Sequence, residues 1–330
     1  MASNISGDTI VITGAFSYTG KYATRILLSR GYKIRTLTFH PQRANPFGER
    51  VQVFPYNFND PERLVRTLES ASTLINTYWV RFPRGASTFE AAVQNTRTLI
   101  AAAKKAGVKR IVHVSIANPS LDSNLGYYKG KAQLEQAVME SGLSYTILRP
   151  TVIFGLEDIL INNIAWFVRR FPVFAIPGDG RYRIRPIYVE DMARLIADAV
   201  EREGNSVLDA IGPETYTFEE LVKLIAEQVR RRVHLVHVPM PIAYTATSIA
   251  GWCVGDVVLT WEEYKGLMDG LLTPQGPSTG ETLLSHWLAE NREHIGKRYA
   301  SEVARHYVLT SIKPSNPTAN GSKEKLSSCV

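Results

Sequence analysis

The alternation of short apolar runs with amphipathic stretches in the first half of this chain limits its fold more than any other feature. Apolar, β-rich runs fall at 9–13, 33–39, 51–54, 73–75, 110–115 and 145–148. Helical periodicity fills most of the intervals between them, at 22–30, 61–70, 87–106 and 128–141. Strands joined through helices pair in parallel, because each crossover brings the chain back to start the next strand in the same direction. Runs such as TIVIT and RIVHV are almost wholly apolar, as strands covered on both faces must be. The expectation is an α/β fold built on a doubly wound parallel sheet.

After Pro150 the rhythm changes. Loops marked by glycine and proline, such as IPGDG at 176–180, separate shorter elements, and helices are expected at 189–201, 218–230, 261–271 and 280–289. Thr217 and Glu220 stand three apart, the spacing of a capping box. The segment 310–330 lacks the apolar residues a core needs and reads as a disordered tail.

With 45% hydrophobic residues in 330, the chain can bury one large core or two coupled ones. The net charge of +7 is split into short clusters, such as Lys104, Lys105, Lys109 and Arg110, without aromatic interleaving. That distribution speaks for solvated faces and against a nucleic-acid partner. Cys253 and Cys329 offer neither a disulfide framework nor metal-ligand spacing, so no metal is expected, and a reducing, cytoplasmic setting fits. No secretory leader is evident. The apolar stretch 242–259 carries Gly251, Gly255 and Asp256 and is short for a bilayer. It reads as a packed helix, with contact to a membrane or a quinone as the lesser alternative.

Directly after the first strand comes Gly14-x-x-Ser17-x-x-Gly20, opening a helix. Gly14 permits a tight turn, Gly20 permits close packing of helix on strand, and the first amides of the helix face an anion such as a pyrophosphate. Ser17 replaces the usual central glycine. It is compatible with the turn if its φ is negative, and its hydroxyl adds a donor for a phosphate oxygen. A dinucleotide site is therefore expected. At the end of the second strand, TLTFHPQR contains no acid to accept from ribose hydroxyls. His40 and Arg43 suit a 2′-phosphate, which favours NADP(H) over NAD(H).

Tyr127 and Lys131, in GYYKGKAQLE, are four apart and share one helix face. An ammonium beside a phenol lowers the phenol's pKa and can also hold ribose hydroxyls. Such a tyrosine exchanges a proton with a carbonyl or alcohol oxygen. The loop TYWVRFPRG, at the carboxyl end of the fourth strand, offers Tyr78, Trp79 and Phe82 as apolar walls, and Arg81 and Arg84 for an anionic substrate group. His113, inside an apolar strand, reads as a core histidine with one nitrogen satisfied. His234 and His237 lie three apart on a strand and face opposite ways.

Taken together, Gly14/Gly20, Tyr127/Lys131 and LRPTVIFG at 148–155 resemble the short-chain dehydrogenase/reductase superfamily, in particular its atypical, extended members. Among these are NmrA-like proteins, the NAD-dependent epimerase/dehydratase type, and the NADPH-binding accessory subunit of respiratory complex I. The likeness covers about residues 8–235 and implies a Rossmann domain. By that resemblance, 1–155 form the NAD(P)-binding domain with returning segments around 176–240. Residues 156–309 form a smaller, mostly helical α/β lobe on the substrate side. Gly14, Ala15, Phe16, Ser17, Tyr18, Thr19 and Gly20 would make the phosphate turn, and Asn57 and Phe58 would stand beside the adenine. Asn76, Thr77 and Tyr78 would line the ribose and nicotinamide. Pro150, Thr151, Val152 and Ile153 would approach the carboxamide.

One departure bears on catalysis. Relatives place a Ser or Thr after the fifth strand to hold the substrate oxygen, and here the run is HVSIANPS. Ser115, Asn118 or Ser120 takes that place, or it is vacant, since the position two beyond Ser115 is Ala117. Two functions are thus carried forward. One is an NADPH-dependent oxidoreductase or epimerase-like enzyme acting on a small-molecule carbonyl or alcohol. The other is a module that binds NADPH without turnover, as sensor or assembly component. Either a monomer or a homodimer is compatible.

Overall fold

The computed structural model describes residues 7–306. The expected alternation is present. It runs β1 (Thr9–Thr13), α1 (Tyr18–Ser29), β2 (Lys33–Thr38), β3 (Val51–Pro55), α2 (Pro61–Leu68), β4 (Ala71–Asn76), α3 (Phe89–Lys105), β5 (Arg110–Val114), α4 (Gly126–Met139) and β6 (Ser144–Pro150). It continues with β7 (Ile153–Phe154), α5 (Leu160–Arg170), β8 (Val173–Pro177), β9 (Arg183–Ile184), β10 (Ile187–Tyr188), α6 (Val189–Glu201), β11 (Ser206–Ala210) and β12 (Tyr216–Thr217). The last elements are α7 (Phe218–Gln228), β13 (His234–Val238), α8 (Met240–Val254), α9 (Trp261–Met268), α10 (Leu284–Asn291) and α11 (Glu302–His306).

The central sheet has seven strands in the order β11-β6-β5-β4-β1-β2-β3, and every pairing in it is parallel. Strand order reverses between β1 and β4, which opens a crevice at their carboxyl ends. One face is covered by α1 and α6, whose apolar residues join those of β1. The other is covered by α2, α3 and α4. A second core gathers α5, α7 and α10 against β8 and β9, on the side toward which the strand ends point.

Local chemistry explains where the helices start. Ser17 caps α1, Asp60 caps α2 with proline in the first turn, and Thr88 caps α3. The capping box read at Thr217/Glu220 is formed on both sides, and Thr260/Glu263 makes a second one at α9.

Some boundaries differ from expectation. Because Ser17 is the cap, α1 begins at Tyr18 rather than at residue 22. The helix expected over 280–289 begins only at Leu284. Before it, the buried Asp191 carboxylate accepts from the amides of Glu281 and Thr282 and holds that segment out of helical form. The helix α5 and the edge strand β11 were not anticipated, although α5 has a clear apolar face of buried Ile161, Ile164, Ala165 and Val168; β11 is a short edge strand that carries Asp209. No helix among the described residues is long and apolar enough to cross a membrane. The tail expected over 310–330 lies outside the described residues.

Candidate functional site

The glycine turn forms at the end of β1. Gly14 has φ +69°, and its amide donates to Leu37 O at 2.9 Å. The Ala15 amide donates to Thr36 Oγ1, which fixes the turn to β2. Ser17 has φ −72° and ψ 169°, so the serine meets no backbone conflict, and its Oγ accepts from the Gly20 amide at 3.3 Å. A Cβ on Gly20 would overlap the Gly14 carbonyl oxygen and come within 2.8 Å of Ser17 Oγ. The glycine is required by backbone-to-backbone packing. Tyr18 and Thr19 occupy the first turn of α1, where amides have no intrahelical acceptor, and together with Ser17 they line a cavity of about 730 Å³. Ala15 is buried, and Phe16 turns away to stack on Phe47.

Four aromatic rings, Phe39, Tyr56, Phe58 and Tyr78, pack together at the ends of β2, β3 and β4, with Phe58 parallel to Tyr56 at 4.8 Å between centroids. Phe39 is 58% exposed, which leaves an apolar platform of the kind a nucleobase stacks on. Asn57 takes a left-handed φ of +50° and donates to Pro55 O. The His40 amide donates to Thr38 Oγ1, and the Arg43 guanidinium to Arg305 O at 2.8 Å, which places both residues just beyond the end of β2. Asn76 lies beneath the site. It joins Thr13, the Tyr78 amide and His113 Nδ1 in a buried network, away from the cavity. Burial drives the His113 imidazole down to about 3, with Lys131 adding to the effect, so the ring is a neutral core element. Thr77 does reach the cavity.

Tyr127 and Lys131 both line that same cavity, one turn apart on α4. Lys131 is fully buried. Its Nζ donates to Val114 O at 2.9 Å and lies 4.8 Å above the Trp79 ring, and burial lowers its pKa to about 7 against a weaker opposing pull from Glu135. Trp79 stands edge-on to Tyr127 at 5.6 Å and lies flat on Phe89. The expected lowering of the Tyr127 pKa is not found. Burial raises it above the ordinary phenol value, reinforced by Tyr128 and Glu263, and Arg81 opposes. With the indole against both side chains, Lys131 is directed to the Val114 carbonyl instead.

The uncertainty after β5 has a clear spatial outcome. Ser115 lines the cavity, and its buried Oγ has no hydrogen-bond partner among the described residues. Ala117 is wholly buried, so the position that departs from the family pattern does not face the site. Asn118, with φ +51°, ties its side chain to Leu271 O and lies off the cavity, as does Ser120. Pro150, Thr151, Val152 and Ile153 all line it.

On the substrate side, Trp79 and Arg81 line the cavity but Arg84 does not; its backbone pairs with Ser87. Arg81 was expected to meet an anionic substrate. Instead it makes a two-pronged pair with Glu263 at 2.5 and 3.0 Å. Burial alone would weaken its charge, and the Glu263 carboxylate more than offsets that.

Several residues of the site were not singled out from the sequence. Glu262 accepts from the amides of Gly126 and Tyr127 at 3.0 and 2.9 Å, supplying the cap that Leu125 cannot provide for α4. The capping-box spacing in TWEE marks Thr260 and Glu263 at the start of α9 and gives no sign of the contact that Glu262 makes with α4. Asp158 caps α5 through the Ile161 amide, and burial lifts its pKa to about 7. Arg305, from α11, also lines the cavity beside the glycine turn and lies over the Tyr18 ring. Nothing in the local sequence places α11 there.

The open amides of α1, the aromatic platform, the unpartnered Ser115 hydroxyl and the buried ammonium of Lys131 fit a nicotinamide dinucleotide. Comparison with known proteins agrees. Residues 14–158 match the family model described as NAD(P)H-binding. The chain is 27% identical over 266 residues to the mitochondrial NADH dehydrogenase [ubiquinone] 1 alpha subcomplex subunit 9 of Arabidopsis thaliana, covering 77% of this chain and 66% of that protein. It therefore spans slightly less than two thirds of that relative's length. It is also 27% identical to the ceramide reductase of Caulobacter vibrioides, over 76% of this chain and 79% of the relative. Its fold superimposes on the NADPH-dependent quinone oxidoreductase of Escherichia coli in complex with NADPH, with a TM-score of 0.71 at 22% identity, covering 86% of this chain and 99% of that one. Over residues 14–158 the chain thus matches an NAD(P)H-binding domain, carried on a seven-stranded parallel sheet of the Rossmann-like kind.

Proposed function

We propose that this chain is an NADPH-dependent oxidoreductase that reduces a carbonyl compound to an alcohol. One observation carries the reading: the Ser115 hydroxyl, the Tyr127 phenol and the Lys131 ammonium line one cavity with the amides of the glycine turn. The turn residues Ser17, Tyr18 and Thr19 would hold a reduced dinucleotide there, which would supply hydride to the carbonyl carbon and be oxidised in turn. Tyr127, which burial keeps as a neutral phenol, donates the proton to the carbonyl oxygen and regains it from water. Ser115 Oγ donates a second hydrogen bond to that oxygen. Lys131 keeps one N–H on Val114 O and turns its others to ribose hydroxyls. Trp79 on Phe89 walls water from the reacting atoms. His40 and Arg43 at the end of β2 support NADPH over NADH. The test is Tyr127→Phe assayed by NADPH oxidation over a panel of carbonyl compounds. Loss of turnover with cofactor affinity kept supports the mechanism, and retained turnover refutes it.

A second reading has its own observation. The fifteen residues of α8 carry no charge, and on the face turned from the cavity Trp252 is 83% exposed. An NADPH-binding component that uses this face in a larger assembly, as the name of the Arabidopsis relative suggests, would display such a surface. Retention of NADPH through purification without turnover on the carbonyl panel favours it. Flotation with lipid vesicles tests the membrane as its partner. We keep the cytoplasm as the proposed location, and cell fractionation decides between it and the mitochondrion named for that relative.

A further inference from the structure

The cavity extends well beyond the reacting groups. From Ser115 it runs between α5, β8, α8 and α9, walled by Ile164, Phe167, Phe174, Leu267 and the face of α8. On that face Ala243, Ala246, Thr247 and Ala250 follow one another at helical spacing toward the cavity. Small side chains there leave open space that the Leu or Ile of an ordinary packed helix would fill.

Most charged side chains of the wall have partners of their own. Arg81 is paired with Glu263, Glu262 holds two amides of α4, and Asp158 holds the start of α5. Arg305 and Lys131 stand at the nucleotide end, on Glu157 O and Val114 O. The lining residues between α5, β8 and α8, such as Phe167, Phe174 and Ala250, are uncharged.

We propose that the cavity takes an elongated, uncharged lipophilic carbonyl compound, its oxygen at Ser115 and Tyr127 and its apolar chain between α5, β8, α8 and α9. The placement of the oxygen rests on the carbonyl-reductase reading; the chain-binding half does not. An anionic substrate is disfavoured, because Arg81 in the substrate wall is already paired in two-pronged fashion with Glu263.

The test measures binding separately from turnover. Calorimetric titration of the full chain, saturated with oxidised NADP so that no reduction occurs, uses straight-chain methyl ketones from butanone to dodecanone, with decanoate as the charged control. Affinity is expected to rise by roughly fourfold per added methylene until the cavity is full. Decanoate is expected to bind at least about tenfold more weakly than decanone. Ala250→Trp should flatten the series while NADPH affinity stays within about twofold, and Ile249→Ser, on the outer face of the same helix, should leave the series intact. A series flat in wild type overturns the proposal, whether or not Ala250→Trp folds, and so does decanoate binding as tightly as decanone. A steep series without ketone reduction keeps the ligand class and removes the reductase reading. Reduction of short ketones with a flat series does the reverse.

Discussion

Replacing Lys131 with methionine tests the electrostatics of the site through stability. The ammonium is buried, has Val114 O as its one hydrogen-bond acceptor among the described residues, and rests on the Trp79 ring. Glu135, one turn away, is gripped by Arg149 at 2.5 and 3.0 Å, so most of its charge is matched elsewhere. Burial accordingly moves the Lys131 pKa from 10.5 to about 7. Between these values the unfolded chain holds a proton that the folded chain has released, so the contribution to stability rises with pH across the window and is least favourable below it. Carrying a charge there costs about 4–5 kcal/mol below neutral pH. Methionine forgoes the hydrogen bond to Val114 O and the charged ring contact, which offsets about 2 kcal/mol of what the substitution gains.

Lys131→Met should therefore be more stable than wild type by roughly 2–3 kcal/mol near pH 6, and wild type should recover about that much by pH 9. Urea unfolding of both proteins at several pH values measures the difference, in which the other titrating groups largely cancel. A difference that stays flat from about pH 6 to 9 would mean that the lysine titrates normally, and the account of a desolvated ammonium would be wrong.

Three further outcomes follow from the same geometry. Gly20→Ala forces the start of α1 away from the Gly14 carbonyl and should weaken NADPH binding by at least about a hundredfold, read by nucleotide fluorescence. Arg43→Ala should weaken NADPH by about tenfold and leave NADH nearly unchanged, so the ratio of the two dissociation constants reports the 2′-phosphate contact. Tyr127→Phe should lower turnover by about two to four orders of magnitude with the NADPH dissociation constant within about twofold.

The parallel sheet and the turn were readable in the sequence because they depend on local chemistry. A buried strand must be apolar, a tight turn needs Gly14, and a helix pressed on a strand needs Gly20. Tyr127 and Lys131 were readable for the same reason, since four residues on a helix fix their proximity. What they experience was not. The Tyr127 pKa depends on burial first, and then on Tyr128 and on Glu263, which arrives from α9. Arg81 looked like a free cation because Glu263, its partner, lies far along the chain on α9. Ser115 could not be preferred over Asn118 until the loop after β5 was seen to bury Ala117 and turn Asn118 toward Leu271. Likewise, the open space along α8 arises from tertiary packing of small residues, which composition alone reads as an ordinary helix.

The most direct measurement is a titration of the full chain with NADPH and NADH in parallel, following nucleotide fluorescence. Uptake of one NADPH per chain with a dissociation constant at or below about the micromolar range, and weaker uptake of NADH, is the predicted result. No uptake of either nucleotide up to about millimolar concentration would contradict the central claim that the amides between Gly14 and Gly20 hold a dinucleotide.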